Sequence, residues 1–274
     1  MIKEKRRKKK KIDWPFFIGF LFGLLLLLYP YISEWVNGYQ YKILNRRFDR
    51  AVTQIPEKEK DERYELAKHY NDSLINPNIE DPYKRDKQKE GRKEYAKMLE
   101  VKEMLGYIDI PKFGQKIPIY AGTSDEVLNK GVGHMELTSL PTGGKGNHTV
   151  LTAHSGMSKV KLFSNLRKMK RGDIFMIYNL KEKLAYKVVD INEIKPNDFS
   201  SLKRYPGKDY CTLLTCSPYL VNTHRLLVKG ERVDYKAVEG KRKKDSAKHI
   251  AKIVAALTLI AAIILFVKKK LEIK

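Results

Sequence analysis

At 274 residues and 42% hydrophobic content, the chain can pack one generous domain or two small ones, which excludes wholesale disorder. Its two cysteines exclude a disulfide-rich scaffold and a four-cysteine zinc module. The formal net charge of +23 gathers at the two ends of the chain, leaving +10 for residues 36–240.

Residues 1–13 form a basic tail containing Lys5, Arg6, Arg7 and Lys8 through Lys11. Trp14 to Ile32 then runs for 19 uncharged residues rich in Phe and Leu, the length of a bilayer core. No small-x-small cleavage site follows, so a retained transmembrane helix is expected over 14–33. A second apolar run, 250–267, is flanked by basic residues and predicts a second transmembrane helix, with 268–274 as its tail. The positive-inside rule puts the first basic tail in the cytoplasm, so both termini are cytoplasmic and the intervening chain lies outside the cell membrane. Residues 237–249 form a basic juxtamembrane linker with Lys241, Arg242, Lys243, Lys244 and Lys248 on the outer side of the second span. Its plain reading is a solvated spacer, its alternative a contact with anionic lipid or anionic wall polymer.

Residues 34–104 have helical periodicity (Val36, Tyr39, Ile43, Leu44, Val52, then Tyr64, Ala67, Tyr70, Leu74), interrupted by Asn76, Pro77, Asn78, Asp81 and Pro82. They predict a helical hairpin with a loop at about 77–86. From 105 to 236 the texture changes to short strands punctuated by Gly and Pro: GYIDIP, KIPIYAG, HTVLTA, GDIFMIYN, KLAYKVVDINEI, YCTLLTC and HRLLVKGERV. Seven or eight strands without long intervening helices predict a mainly β domain, a closed or sandwiched antiparallel sheet.

Within YCTLLTC, alternation puts Cys216, Leu214 and Thr212 on one face and Cys211, Leu213 and Thr215 on the other, so the cysteines cannot bridge. Cys216 stands at the strand's end, where a thiol can meet substrate; Cys211 reads as a small core residue. A reactive thiol needs a lowered pKa or a nearby base. Of six histidines, His154 also sits at a strand end, in line with Thr152 and His148. His134 and His148 read as satisfied core or loop residues. Arg225 opens the strand after Cys216, and a hairpin would bring the two to the same end, where a guanidinium could donate to an oxyanion. Taken singly, each of the three has a plainer structural reading.

The combination resembles the sortase family. T-L-L-T-C (212–216), L-T-A-H-S-G (151–156) and N-T-H-R-L-L-V (222–228) look like the segments carrying the catalytic cysteine, histidine and arginine of sortases. G-Y-I-D-I-P, I-P-I-Y-A-G-T-S, K-G-V-G-H-M-E-L-T-S-L-P-T-G-G and K-L-F-S-N-L follow the same template in order. The resemblance implies an eight-stranded β-barrel, with Cys216, His154 and Arg225 as catalytic residues and Thr215 in support. The second apolar run and the triplet Asp81-Pro82-Tyr83 are similar to the C-terminal span and the lid of class C, pilus-assembly sortases. That subclass implies a carboxylate approaching Arg225, a ring covering Cys216, and a carboxylate-arginine lock that excludes solvent until the loop opens.

The implied reaction is transpeptidation. Cys216 attacks the Thr carbonyl of an LPxTG-like signal in a pilin precursor, and a lysine amine of another pilin resolves the thioester. No metal, organic cofactor or nucleic-acid partner is expected. The rival acceptor is the amine of a peptidoglycan precursor; the remoter rival is a non-enzymatic, membrane-tethered binding module. Leu140-Pro-Thr-Gly-Gly144 is one residue short of the sorting signal and far from the tail, and reads as a turn within the barrel.

Overall fold

The computed structural model describes residues 14–74, 93–155, 162–218, 221–248 and, beyond them, 250, 251, 254 and 258. The triplet Asp81, Pro82 and Tyr83 lies outside the described residues, as does most of the 250–267 run.

The first described element is a helix far longer than a span. α1 (Trp14–Gln54) runs through the apolar segment and the first half of the expected hairpin without ending. Its limbs, Ile18–Tyr29 and Tyr31–Gln54, meet at 45° on either side of Pro30, which lacks the N–H needed to continue the ladder. Among the described residues no single helix is long and apolar enough to cross a membrane, although these two limbs together satisfy that test by length and composition. Two separate transmembrane helices are therefore not what the described residues show. The hairpin turns at Ile55-Pro56, where Pro56 precedes α2 (Glu57–Ser73) and the acidic Glu57 and Glu59 suit the helix's positive end. A 3₁₀ helix follows at Lys93–Leu99.

Eight strands then close a barrel: β1 (Gly106–Ile110), β2 (Gln115–Ala121), β3 (Val132–His134), β4 (Asn147–Thr152), β5 (Ile174–Tyr178), β6 (Lys183–Ile194), β7 (Asp209–Ser217) and β8 (His224–Val233). Around the barrel the order is β1-β2-β3-β4-β7-β8-β6-β5, with β5 pairing back to β1. The expected antiparallel sheet is in fact mixed, because β2–β3 and β4–β7 are parallel. The first parallel pair requires a crossover, supplied by the short helix α3 (Asp125–Lys130), whose Ser124 side chain accepts from Val127 N. At the start of β1, Gly106 (φ 148°) lies so close to β5 that a Cβ would strike the carbonyl of Tyr178.

Alternation divides the strand residues between two environments. Ile108, Ile110, Ile117, Ile119, Phe175, Ile177, Leu213, Leu226 and Val228 fill the barrel in one cluster. On the outer face, Tyr107 packs with Phe48 and Leu44 of α1, while Val150, Leu214 and Leu227 are covered by Phe199 and Leu202 from the β6–β7 connection. α2 is fixed by Tyr64 and Asn71. The Tyr64 hydroxyl donates to the Thr142 carbonyl (2.6 Å), and Asn71 both accepts from Leu140 N (2.7 Å) and donates to Thr142 Oγ1 (2.9 Å). The 140–144 segment is thus a turn bonded to α2, beside the starts of β4 and β7.

After β8 the basic segment is not an unstructured linker. It forms α4 (residues 235–248), whose first turn is capped by Asp234 accepting from Lys236 N and Ala237 N. Arg242 anchors α4 to the buried Asp109 carboxylate of β1 (2.9 Å).

Candidate active site

Cys216, the penultimate residue of β7, is the register partner of Arg225 in β8. Facing residues in an antiparallel pair project to the same side with their Cβ atoms about 4.5–5.5 Å apart, so thiol and guanidinium stems rise together. Leu214 and Leu227 lie below them in the outer-face cluster, whereas Cys211 and Leu213 point into the barrel. The alternation expected from the sequence is therefore the one observed, and both cysteines are free thiols.

His154 arrives from the other side. β4 runs parallel to β7 with Thr152 opposite Leu214. The pairing continues past the end of β4, through Ala153 N donating to Leu214 O (3.2 Å) and the Thr215 hydroxyl donating to Ala153 O (2.7 Å). Extending that register by two residues sets His154 level with Cys216, so three adjacent strand ends carry His154, Cys216 and Arg225 side by side. Thr215, buried between them, ties the residue before the histidine to the residue before the cysteine. Phe163 N donates to the His154 carbonyl (3.2 Å).

Cys216 and Arg225 are largely buried, at 8% and 6% exposure, and His154 is half-buried. Arg225 Nη1 donates to the carbonyls of Asn222 and His224, each at 3.0 Å, which holds the guanidinium plane at the mouth of the β7–β8 connection. Burial lowers the His154 pKa from its ordinary value, and the Asp125 carboxylate at the start of α3 partly opposes that shift. Burial thus favours the neutral imidazole over the imidazolium. Burial pushes the Cys211 thiol well up, which makes it an unsuitable nucleophile.

The other strand histidines have different work. His148 Nδ1 lies 2.9 Å from Lys203 O and Nε2 2.7 Å from Thr212 Oγ1; His134 Nδ1 lies 2.8 Å from the Tyr95 hydroxyl and Nε2 2.9 Å from Ser139 O. Burial pushes both down to about 4, so they act as neutral cross-links between segments. Two neighbours of the site were not apparent in the sequence. Asp125 lies far from His154 along the chain, and its Ser-Asp-Glu context signals only a helix start. Glu193 of β6 accepts from the Ser217 hydroxyl (2.7 Å), steadying the residue after Cys216. Among the described residues no group of three or more His, Cys, Asp or Glu side chains could hold a metal ion.

This barrel has known counterparts. A family model described as a sortase domain matches residues 108–233. The pilus-related sortase C of group B Streptococcus is 55% identical, with 70% of this chain and 98% of that one covered at a TM-score of 0.67. The chain belongs to the sortase family. Sortase C-1 of Streptococcus pneumoniae is 47% identical over 70% of this chain and 98% of its own, with a TM-score of 0.68, so the similarity runs to the class C sortases. Among curated sortases, sortase A of Bacillus anthracis is 30% identical over 51% of this chain and 64% of its own length, and sortase A of Streptococcus agalactiae 29% over 47% and 52%. The chain thus spans between half and two thirds of the length of these two curated sortases.

Proposed function

We propose that this sortase is a membrane-anchored pilin polymerase, with Cys216 as nucleophile, His154 as proton carrier and Arg225 as oxyanion donor. The observation that carries the reading is the register itself: His154, Cys216 and Arg225 stand level on β4, β7 and β8, on one face. The Cys216 thiolate adds to the Thr carbonyl carbon of an LPxTG-like signal, and the developing oxyanion meets the Arg225 guanidinium. The C–N bond to Gly breaks as His154 delivers its proton to the departing amine, leaving a thioester. A lysine amine of a second pilin attacks that thioester and gives a proton to His154. Collapse forms the isopeptide bond and returns the Cys216 thiolate.

The class C similarity supports pilin as both donor and acceptor. Anchoring rests on the apolar limb of α1 and the 250–267 run, with the barrel outside the cell and both termini in the cytoplasm. In the same reading Asp81, Pro82 and Tyr83 form a lid over the site. Mixing the full chain in bilayer vesicles with a pilin bearing its sorting signal tests the function. Ladders of covalent polymer that vanish in Cys216→Ala are the expected result. Monomers joined to a peptidoglycan-precursor amine would move the assignment to wall anchoring, and unchanged pilin would remove the enzymatic reading.

A further inference from the structure

The helices that lead toward the two apolar runs share contacts with β1 and run in opposite directions. α1 descends along the outer face of β1 and β2: Asn45 donates to Lys116 O (3.2 Å), and one turn later Asp49 accepts from the Tyr107 hydroxyl (3.4 Å). α4 ascends beside it. Tyr235 meets Tyr178 edge-on with centroids 6.1 Å apart, and seven residues later Arg242 reaches Asp109. Because Tyr107 pairs with both Tyr178 and Pro118, while Asp109 pairs with Lys116, the lower contacts lie on one level of the barrel and the upper contacts on another. The contacting limb of α1, followed backward, and α4, followed forward, therefore both point past the β1–β2 turn (Pro111–Gly114). Following strand directions through β5, β6, β8 and β7 puts that turn at the barrel end that carries Cys216.

The Arg242–Asp109 bond also fixes the rotation of α4. At 100° per residue, Lys244 and Lys248 fall on the face turned from the barrel, with Lys241 and Lys243 on its flanks. All four are exposed, and none has an ion-pair partner among the described residues. Their heights matter as much as their charge. At 1.5 Å per residue Lys248 stands about 3 Å and Lys244 about 9 Å before Ile250, where the second apolar run begins. The headgroup layer is roughly 5–8 Å deep on each side of the hydrocarbon, so these ammonium groups lie within it or at its edge. Lys241 and Lys243 lie within about one Debye length, ~8 Å, of that layer. A wall polymer would impose no such relation between lysine height and the start of the apolar run.

We propose that α4 is a bilayer-docking helix whose Lys241, Lys243, Lys244 and Lys248 bind the phosphates of an anionic lipid surface, holding the Cys216 end of the barrel toward the membrane. This rests on the anchoring proposed above and adds to it a lipid preference and a fixed orientation.

The test uses the full chain reconstituted in phosphatidylcholine vesicles with or without one third phosphatidylglycerol. Retention through alkaline carbonate extraction reports anchoring, and amine acylation read by peptide mass spectrometry reports the lysines. Acylation of Lys244 and Lys248 should slow about threefold or more in the anionic vesicles and recover in high salt, while Lys58 on α2 stays unchanged. Lys244→Gln combined with Lys248→Gln should weaken the lipid dependence at Lys241 and Lys243. Retained protein with equal acylation in both lipids overturns the docking and leaves the anchoring intact; release by carbonate overturns both. Protection by added poly(glycerol phosphate) but not by phosphatidylglycerol would reassign the face to a wall polymer and overturn the proposal.

Discussion

The two ends of the barrel are built on opposite terms. At the end where β4 and β7 start, α2, the 140–144 turn and Arg204 are bonded to one another. Tyr64 and Asn71 satisfy Thr142 and Leu140, Asn147 donates to Gly143 O (2.6 Å), and Arg204 donates to the carbonyls of Gly146, Asn71 and Leu74. At the other end, the same two strands finish in Cys216 and the approach to His154, with Arg225 beside them. One end spends its polar groups on structure. The other holds the groups to which the proposed function assigns the chemistry, aligned by the strand register that the far end helps to fix.

Substitutions should separate the two ends, the largest effect falling at the reactive one. Cys216→Ala is expected to abolish polymer formation with an unchanged melting temperature, while Cys211→Ala keeps activity and loses about 1 kcal/mol from a small buried cavity. Pilin laddering and thermal melts on both variants check this, and equal loss of activity would mean the wrong thiol had been chosen. Next, His154→Ala and Arg225→Ala should each slow turnover about 100-fold or more with little change in melting temperature. Arg225→Lys should rescue only part of that loss, since an ammonium lacks the directed fork; steady-state rates with near-normal Lys activity would argue against guanidinium geometry.

Acid should act on the two buried structural histidines. His134 and His148 are held neutral, with values near 4 against 6.5 when unfolded. Below about pH 6.5 the unfolded chain takes up protons that the folded chain refuses, so stability falls as pH drops toward about 4, by at most about 3 kcal/mol for each imidazole. Urea midpoints for wild type and His148→Gln across that range isolate one of the two; parallel curves would contradict a buried neutral imidazole at 148. The smallest expected effect is local. Asn71→Ala leaves the Leu140 N–H without its partner and should cost roughly 1–3 kcal/mol, with turnover per folded molecule preserved. A matched fall in turnover would show that the two ends are coupled.

Much of the reactive end was legible because a strand's side chains alternate with period two: the separation of Cys216 from Cys211, and the hairpin bringing Arg225 to Cys216, both follow from that period. The level alignment of His154 with Cys216 was not, since it depends on a parallel pairing between β4 and β7, strands separated in sequence by β5 and β6. β3 was missed because Val-Gly-His is too short to show any period. The turn at Ile55-Pro56 went unread because its single proline falls between two stretches of helical periodicity, and the expected loop at about 77–86 lies outside the described residues. α1 joins an apolar limb to an amphipathic one, and composition divided what the backbone keeps continuous. The basic segment read as a spacer became a helix because Asp234 caps it and Arg242 finds a buried carboxylate on β1, a partner 133 residues away.

Arg204 has one more consequence. By accepting Arg204 at its carbonyl, Leu74 is pinned beside Gly146 and Lys208, at the level where β4 and β7 begin. That one guanidinium thereby closes a junction of three segments, donating to the main-chain carbonyls of Asn71 and Leu74 at the end of α2 and of Gly146 before β4. Because those three bonds end on backbone oxygens, no exchange of side chain at 71, 74 or 146 removes an acceptor, and the junction is vulnerable at one position of its four, Arg204 itself.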